Sequence, residues 1–302
     1  MKIYSSIEEF SADFRVTLTI GTFDGVHIGH QSIIKELNRM SKLEKGESVL
    51  LTFDPHPRHV LFPEDHGLKL LTTIDERLDL LKDYGLQHII IQEFSREFSR
   101  ITPINFVRDI LVNQLSVNRL IIGHDHHFGR NREGSFEELK NLADLYDFQL
   151  SEISGKMVNN ITASSTKIRQ SLLIGDVDKA NNLLGHSYTF SGKVVHGDKL
   201  GRTIDFPTAN IEVRNEKILP KSGVYAVQVE LDRNHYFGML NIGHIINKIE
   251  VHIFDFSENI YGRTVRVRMI SRLRDGKDFQ DIKGLKCQLI KDETHARSLF
   301  RI

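Results

Sequence analysis

The 302-residue chain has little of several features that mark specialised classes of protein. Its one cysteine, Cys287, excludes an internal disulfide, so we expect a reducing compartment. Lys plus Arg and Asp plus Glu number 40 each, so no basic surface for nucleic acid is indicated. The first residues contain no apolar core of signal-peptide length, and no run approaches the ~18 apolar residues of a membrane span. These absences predict a neutral, soluble, cytoplasmic protein without nucleic-acid or membrane partners, and they leave the oligomeric state open.

What is present is ordinary globular composition, with 40% hydrophobic and 26% charged residues. Domains usually contain about 100–200 residues, so a chain of this length predicts two. The sequence pattern changes near residues 185–187 without a linker rich in proline or glycine. We therefore predict one domain over residues 1–185 and a second over residues 186–302.

The first domain alternates strand and helix patterns. Short β-branched runs predict strands at Val16–Ile20, 48–53, 88–92, 119–123 and Gln149–Ile153. Helical spacing of apolar residues falls between and after them, at 32–40, 73–84, 103–115, 135–146, 165–173 and 176–184. This alternation predicts an α/β domain with a mostly parallel sheet, whose ligands bind beyond the carboxyl ends of the strands.

The second domain has a different pattern. Short β-type runs separated by Gly, Asn and Asp occur at 190–196, Gly223–Leu231, 236–242, 249–254 and 264–270. Such a series predicts an antiparallel barrel or sandwich. A final amphipathic stretch at 284–300 predicts a helix, and Cys287 within it is expected to be a packing residue.

The most informative segment is residues 21–30 (GTFDGVHIGH), which follows a strand and opens a helix. Its glycines let backbone N–H groups approach a phosphate, and the helix N-terminus adds positive potential. His27 and His30 are three residues apart and face the same way on a helical turn, where they could stabilise a departing pyrophosphate. A tight turn with two surface histidines is the simpler alternative. A zinc site would lack a third ligand at any familiar spacing.

Three further segments add chemistry to this half. Residues 52–57 (TFDPHP) end a predicted strand and form either a rigid turn or part of a site. Residues 123–129 (GHDHHFG) end another predicted strand. Residues 163–169 (ASSTKIR) open a helix, where Ser164, Ser165 and Thr166 can cap the helix or bind phosphate and Lys167 and Arg169 supply cations.

Together these segments resemble the FMN adenylyltransferase module of bacterial bifunctional flavin kinase/FAD synthetases, within the HxGH nucleotidyltransferases. The resemblance implies a Rossmann-like fold in which FMN phosphate attacks the α-phosphate of ATP, aided by Mg²⁺. It implies catalytic roles for His27, His30 and Arg169. The nucleotide-binding residues that it implies are Gly21, Phe23, Asp24, Gly25, Gly29, Ser164, Ser165, Thr166 and Lys167. The flavin-binding residues that it implies are Phe53, Pro55, Pro57 and Asp125.

The second half resembles the riboflavin kinase domain, a six-stranded β-barrel with a C-terminal helix. The segments that carry this resemblance are 192–197 (GKVVHG), 201–210 (GRTIDFPTAN), 219–225 (LPKSGVY) and 249–256 (IEVHIFDF). The family implies that Thr208 and Asn210 bind Mg²⁺ through neutral oxygens, and that Glu250 is the general base. Gly197, Gly201 and Arg202 would then lie in a loop over the nucleotide. Strand alternation puts Glu250 on the same face as His252, and that face is either solvent or active site.

Two departures from the family leave alternatives open. Asp205 stands where the family usually has glycine, which strains the backbone if φ is positive and adds a negative charge near ATP. After Gly243 only five residues precede Ile249, so the usual longer hairpin is shortened. The main prediction is an enzyme that phosphorylates riboflavin and adenylylates FMN. The alternatives are an FMN adenylyltransferase with a flavin-binding barrel, a flavin-binding regulator, or another HxGH transferase.

Overall fold

The structure is a computed structural model that describes residues 1–64, 67–123, 136–153, 163–197, 201, 204–243 and 248–301. Within these ranges the chain forms two compact units. The first comprises Met1–Leu68 and Arg77–Thr162, and the second comprises Lys69–Glu76 and Ala163–Ile302. The division at residue 185 between the two activities stays a prediction. No helix among the described residues is long and apolar enough to cross a membrane.

The first unit contains the predicted parallel sheet, which has six strands in the order β1-β4-β3-β2-β5-β6. The strands are β1 (Lys2–Tyr4), β2 (Val16–Ile20), β3 (Glu47–Asp54), β4 (His88–Glu93), β5 (Val117–Gly123) and β6 (Gln149–Ile153). Every neighbouring pair is parallel. Strands β3 and β4 follow β2 on one side of it, and β5 and β6 then follow on its other side. The strand order therefore reverses beside β2. Ligands of open α/β sheets bind at such a reversal, beyond the carboxyl ends of the strands.

Helices accompany this sheet. They are α1 (Ile28–Leu43), α2 (Pro57–Leu61), α3 (Ile74–Asp83), α4 (Pro103–Asn105) with its π-helical continuation Phe106–Gln114, and α5 (Phe136–Leu145). Helix α3 begins with a capping box, in which the Thr73 Oγ1 accepts from the Glu76 N–H and the Glu76 carboxylate accepts from the Thr73 N–H.

The sheet is buried on both faces. One hydrophobic cluster contains Leu18 and Leu51, and a second contains Leu50 and Ile89. Leu50 and Leu51 are adjacent on β3 and point to opposite faces, as strand geometry requires. Burial on both faces explains why the central strands are continuous apolar runs without polar alternation.

The second unit contains a closed barrel with the strand order β10-β11-β8-β7-β12-β9. The strands are β7 (Thr189–Val195), β8 (Ala209–Val213), β9 (Gly223–Leu231), β10 (Asn234–Ile242), β11 (Ile249–Ile253) and β12 (Thr264–Arg274). All barrel pairings are antiparallel, so the barrel alternative is confirmed and the sandwich is not. Helices α6 (Ser165–Ile174), α7 (Val177–Leu184) and α8 (Ile282–Phe300) complete the unit.

The prediction that Cys287 is a packing residue is wrong, because its side chain is exposed on α8. The face of α8 that packs on the barrel contains Leu285, Leu289 and Ala296. Cys287 lies two residues from both leucines, and residues separated by two do not share a helix face.

Candidate active sites

The first candidate site begins where β2 ends, at residues 21–27, which we call the glycine loop. Its backbone is unusual, since Phe23, Gly25 and Val26 have φ angles of 49°, 83° and 41°. A β-branched residue such as Val26 rarely adopts positive φ, and such conformations are kept where the surrounding structure fixes them. The Val26 N–H donates to the Phe23 carbonyl at 3.0 Å, which closes the turn before α1.

His27 and His30 meet in the first turn of α1. Their rings stack with centroids 3.7 Å apart and an angle of 15° between planes. His27 is the N-cap of α1, and its Nδ1 accepts from the main-chain N–H of His30 at 3.4 Å. A neutral His27 that accepts at Nδ1 carries its proton on Nε2, and Nε2 is then a donor.

Burial determines the protonation state of His30. Burial, and then the neighbouring His27 and Arg77, lower the pKa of His30 well below its ordinary value. His30 is therefore neutral at pH 7. Its ring also packs on the Phe23 ring, at 4.7 Å between centroids. The spacing rule correctly predicted that the two histidines face the same way.

The side chains of the predicted nucleotide-binding residues Phe23 and Asp24, in the glycine loop, are buried. Phe23 is 2% exposed and belongs to the core on one face of the sheet. A Cβ on Gly21 would lie 3.1 Å from the Phe23 ring, so glycine lets this ring pack under the loop. Asp24 is buried as well. Gly25 supplies a positive φ, and Gly29 lies in the first turn of α1.

Three of the predicted flavin-binding residues lie at the end of β3 and directly after it, in residues 52–57, which we call the proline segment. Phe53 is buried in an aromatic cluster, with ring centroids 5.4 Å from Phe94 and 5.6 Å from Phe98. Pro55 is exposed, and Pro57 is the first residue of α2. Asp125, the fourth predicted flavin residue, lies outside the described residues.

Arg77 is a residue of this site that sequence reasoning missed. It is 1% exposed, and its Nη1 donates to the Thr22 carbonyl at 2.8 Å and to Thr52 Oγ1 at 3.2 Å. It therefore joins the glycine loop to the start of the proline segment. In the sequence Arg77 is one charge among several in an amphipathic helix, and only the packing of α3 reveals that it is buried.

The remaining residues predicted for adenylyl transfer lie on α6, in the second unit. Ser164 is the N-cap, and its Oγ accepts from the Lys167 N–H at 3.3 Å, as the capping interpretation predicts. Ser165 is the first residue of the helix, and Thr166 and Lys167 are exposed. Arg169 is half-buried, and its Nε donates to the Lys69 carbonyl at 2.7 Å. Their roles toward ATP stay predictions.

The second candidate site lies at the barrel. Glu250 on β11 is directly opposite Asn210 on β8. Thr208 lines a cavity of about 450 Å³, whose wall also includes Val251, Ile253 and Tyr261. Glu250 is partly buried, and its Oε1 lies 3.2 Å from the Lys248 Nζ. Glu250 and Asn210 are thus register partners, and their chain neighbours Val251 and Ala209 line the cavity together with Thr208.

His252 stabilises the backbone at this site. Its Nδ1 donates to the Pro207 carbonyl at 2.8 Å, directly before Thr208. His252 on β11 therefore contacts the Pro-Thr-Ala-Asn segment, and an active-site role for the face that it shares with Glu250 stays a prediction.

Asn210 also fits a position that glycine keeps open. A Cβ on Gly197 would lie 2.0 Å from Asn210 Nδ2 and 2.7 Å from Oδ1. Gly201 has a similar role, because a Cβ there would lie 2.1 Å from the Phe206 carbonyl oxygen. Arg202 lies outside the described ranges, as do residues 244–247 of the shortened segment.

The strain expected at Asp205 is present, since its φ is 64°. Its carboxylate lines the cavity and pairs with the Lys286 Nζ of α8 at 2.6 Å. The negative charge near the predicted nucleotide loop is thus matched by a lysine.

Among the residues that the structure describes, no three or more His, Cys, Asp or Glu side chains converge on one point. At the barrel, the hydroxyl of Thr208 and the amide oxygen of Asn210 are neutral oxygens of the kind that Mg²⁺ accepts.

Comparisons with known proteins match two enzyme families to successive parts of the chain. The family model for FAD synthetase matches residues 10–167, and the model for riboflavin kinase matches residues 184–300. A bifunctional riboflavin kinase/FMN adenylyltransferase from Listeria monocytogenes is 36% identical over 295 residues, which cover 95% of this chain and 93% of that protein. Its counterpart from Escherichia coli K12 is 37% identical over 290 residues, covering 94% and 92%.

A solved structure is similar over nearly the whole length. It is described as a macrolide-efflux protein from Streptococcus pneumoniae, and it matches with a TM-score of 0.87, 31% identity and 98% coverage of each chain. That description refers to the streptococcal protein, whereas the similarity here concerns the fold. The two family models and the relatives confirm the resemblance expected from the motifs: the chain belongs to the family of bifunctional riboflavin kinase/FMN adenylyltransferases.

Proposed function

We propose that the chain performs the two reactions of its family at two separate sites, riboflavin phosphorylation at the barrel and adenylyl transfer to FMN beside the parallel sheet. The observation that carries the proposal is the pairing of Glu250 with Asn210 beside the cavity lined by Thr208. Register partners on neighbouring antiparallel strands project from the same face, so the side chains of Glu250 and Asn210 share one face of the barrel wall. The residues next to them, Val251 and Ala209, line the cavity with Thr208.

At the barrel, Glu250 accepts the proton of the ribityl 5′-hydroxyl of riboflavin. The hydroxyl oxygen then attacks the γ-phosphorus of ATP, the bond to the β-phosphate oxygen breaks, and ADP leaves. Thr208 and Asn210 would hold Mg²⁺, which supplies positive charge against the phosphate oxygens. Support for this fit comes from Gly197, because its missing Cβ leaves room for the Asn210 amide.

In the first unit, a phosphate oxygen of FMN attacks the α-phosphorus of ATP, and the bond to the β-phosphate oxygen breaks as pyrophosphate leaves. No protein nucleophile is needed, so catalysis depends on positioning and charge stabilisation. The glycine loop and the N-terminus of α1 would receive the triphosphate. The Nε2–H of His27 would donate to it, and His30 supports His27 by stacking. Roles of Arg169, Ser164, Ser165 and Lys167 toward the phosphates stay predictions of the sequence motif.

A product assay tests this proposal. The purified chain is incubated with riboflavin, ATP and Mg²⁺, and separately with FMN, ATP and Mg²⁺, and the flavins are separated chromatographically. We expect FMN and then FAD from riboflavin, with ADP released in the first step. FAD from FMN without ADP from riboflavin would support the alternative with a flavin-binding barrel. No product in either incubation would overturn the proposal.

A further inference from the structure

Arg77 is buried at the carboxyl edge of the sheet, and the two reactions described above do not use it. Its side chain is 1% exposed, near the start of α3. Burying a guanidinium costs free energy unless hydrogen bonds and opposite charges compensate. The contacts of Arg77 therefore indicate what the protein gains by keeping it there.

The hydrogen bonds of Arg77 connect two strand ends. Nη1 donates to the Thr22 carbonyl at 2.8 Å and to Thr52 Oγ1 at 3.2 Å. Thr52 Oγ1 also donates to the Thr22 carbonyl, at 3.4 Å. Thr22 belongs to the glycine loop, and Thr52 begins the proline segment. One guanidinium nitrogen thus holds the loop assigned to ATP against the segment assigned to the flavin.

The carboxylates that interact with Arg77 also come from both segments, the glycine loop and the proline segment. Burial lowers the pKa of Arg77, and the carboxylates of Asp24 and Asp54 raise it, so the side chain remains a cation. Asp24 belongs to the glycine loop and Asp54 to the proline segment. Arg77 thereby attracts one carboxylate from each segment. Its Nε is buried and has no hydrogen-bond partner within the described part of the chain.

Arg77 also acts on the histidine pair. Burial lowers the pKa of His30 most, and the neighbouring His27 and Arg77 lower it further. The ring of His30 stacks on that of His27 at 3.7 Å, so the state of His30 affects the group proposed to contact phosphate.

We propose that Arg77 is a positioning residue for adenylyl transfer, which fixes the glycine loop and the proline segment at the separation that the ATP and FMN phosphates require. This inference rests on the proposed adenylyl transfer in the first unit. It goes beyond that function by making the two substrate sites depend on a single buried side chain. A role confined to stability would leave the binding of both substrates unchanged in the folded molecules.

The test uses the full chain and two variants. Arg77→Lys keeps the positive charge and loses the planar fork that reaches both segments. Thr52→Val removes only the hydroxyl on the proline segment. The matched controls are Arg39→Lys, an exposed arginine on α1, and Thr17→Val, a buried threonine whose Oγ1 has no partner in the described ranges. The KM values for ATP and FMN and kcat are measured for FAD formation, with riboflavin phosphorylation as the control for the second unit.

We expect Arg77→Lys to raise the KM for both ATP and FMN and to lower kcat/KM at least tenfold. Thr52→Val should raise the KM for FMN more than that for ATP, because the contact with Thr22 remains. Both controls should stay within twofold of wild type. KM does not depend on the fraction of folded molecules, so unchanged KM values in Arg77→Lys overturn the inference. If that variant does not fold, an unchanged KM for FMN in Thr52→Val overturns it. A wild-type chain that makes no FAD from FMN would instead overturn the proposed function.

Discussion

Glu250 and Asn210 lie directly opposite each other across the antiparallel strands β11 and β8. Side chains at such positions are neighbours, with Cβ atoms about 4.5–5.5 Å apart. The Asn210 amide in turn occupies the space next to Gly197, after β7. Three residues from three separate sequence motifs therefore meet at one end of the barrel.

Gly197→Ala should disrupt this arrangement. The new methyl group would lie 2.0 Å from Asn210 Nδ2, so the amide has to move. We expect riboflavin phosphorylation to fall at least tenfold and its Mg²⁺ requirement to rise, while FAD formation from FMN stays unchanged. Gly284→Ala is the control, since its methyl group would meet only side-chain atoms, Asp281 Oδ1 at 3.1 Å and Phe279 Cδ1 at 3.9 Å. Phosphorylation kinetics over a Mg²⁺ series make the comparison, and equal effects in the two variants would contradict it.

Two substitutions of Asp205 separate the effect of its strained backbone from the effect of its charge. With φ at 64°, Asp205→Gly should relieve strain of about 1 kcal/mol, whereas Asp205→Asn removes only the charge. The exposed pair with Lys286, of a kind that contributes about 0–1 kcal/mol, is lost in both variants, so the difference between them reports the strain. We expect the unfolding midpoint to rise in Asp205→Gly alone and the KM for ATP in phosphorylation to fall in both variants. Thermal unfolding and steady-state kinetics test this, and a higher KM for ATP in either variant would show that the carboxylate aids binding.

His30 should make stability depend on pH. Its pKa is below the ordinary value of about 6.5 because of burial and the nearby His27 and Arg77. Above pH 6.5 both folded and unfolded states have a neutral His30, so stability is full there. As pH falls below 6.5 the unfolded state takes up the proton first, and each pKa unit of difference removes about 1.4 kcal/mol of unfolding free energy.

Denaturant unfolding between pH 5 and 8 measures this loss. In His30→Asn the position no longer titrates, so we expect a smaller decrease in unfolding free energy below pH 6.5 than in wild type. Identical pH profiles for the two proteins would show that His30 is not the group responsible.

Much of the fold was predictable because apolar patterns reflect burial directly. Strands β6 and β9 have the predicted bounds, Gln149–Ile153 and Gly223–Leu231. Three elements were missed. Strand β8 lies within a motif whose Pro and Asn residues do not indicate a strand, β1 is only three residues long, and the five-residue α2 follows two prolines. Helix α1 begins at Ile28, whereas the sequence pattern predicted a start at residue 32. The difference arises because its N-cap is His27, and histidine is not a usual N-cap residue.

The residues of the candidate sites also fall into two groups, those that sequence motifs indicate and those that only long-range packing reveals. Sequence motifs identified Glu250, Asn210, His27 and His30 because their chemistry is local to a strand or a turn. Arg77 could not be recognised, since its role depends on contacts with Thr22 and Thr52, which are 55 and 25 residues away. Lys217 is similar: it is fully buried and pairs with Glu76 at 2.6 Å, whereas its sequence context suggests a surface lysine. Charged residues that become buried by long-range packing have no signature in a single sequence.

The central claim, that two independent sites perform the two reactions, is tested most directly by a crossed assay of Glu250→Gln and His27→Ala. Each variant is incubated with riboflavin or with FMN, together with ATP and Mg²⁺, and FMN and FAD are measured. We predict that Glu250→Gln loses riboflavin phosphorylation by about 10²-fold or more and still converts FMN to FAD. His27→Ala should accumulate FMN from riboflavin and form little FAD. Loss of both activities in either folded variant, or full activity in both, would contradict the account.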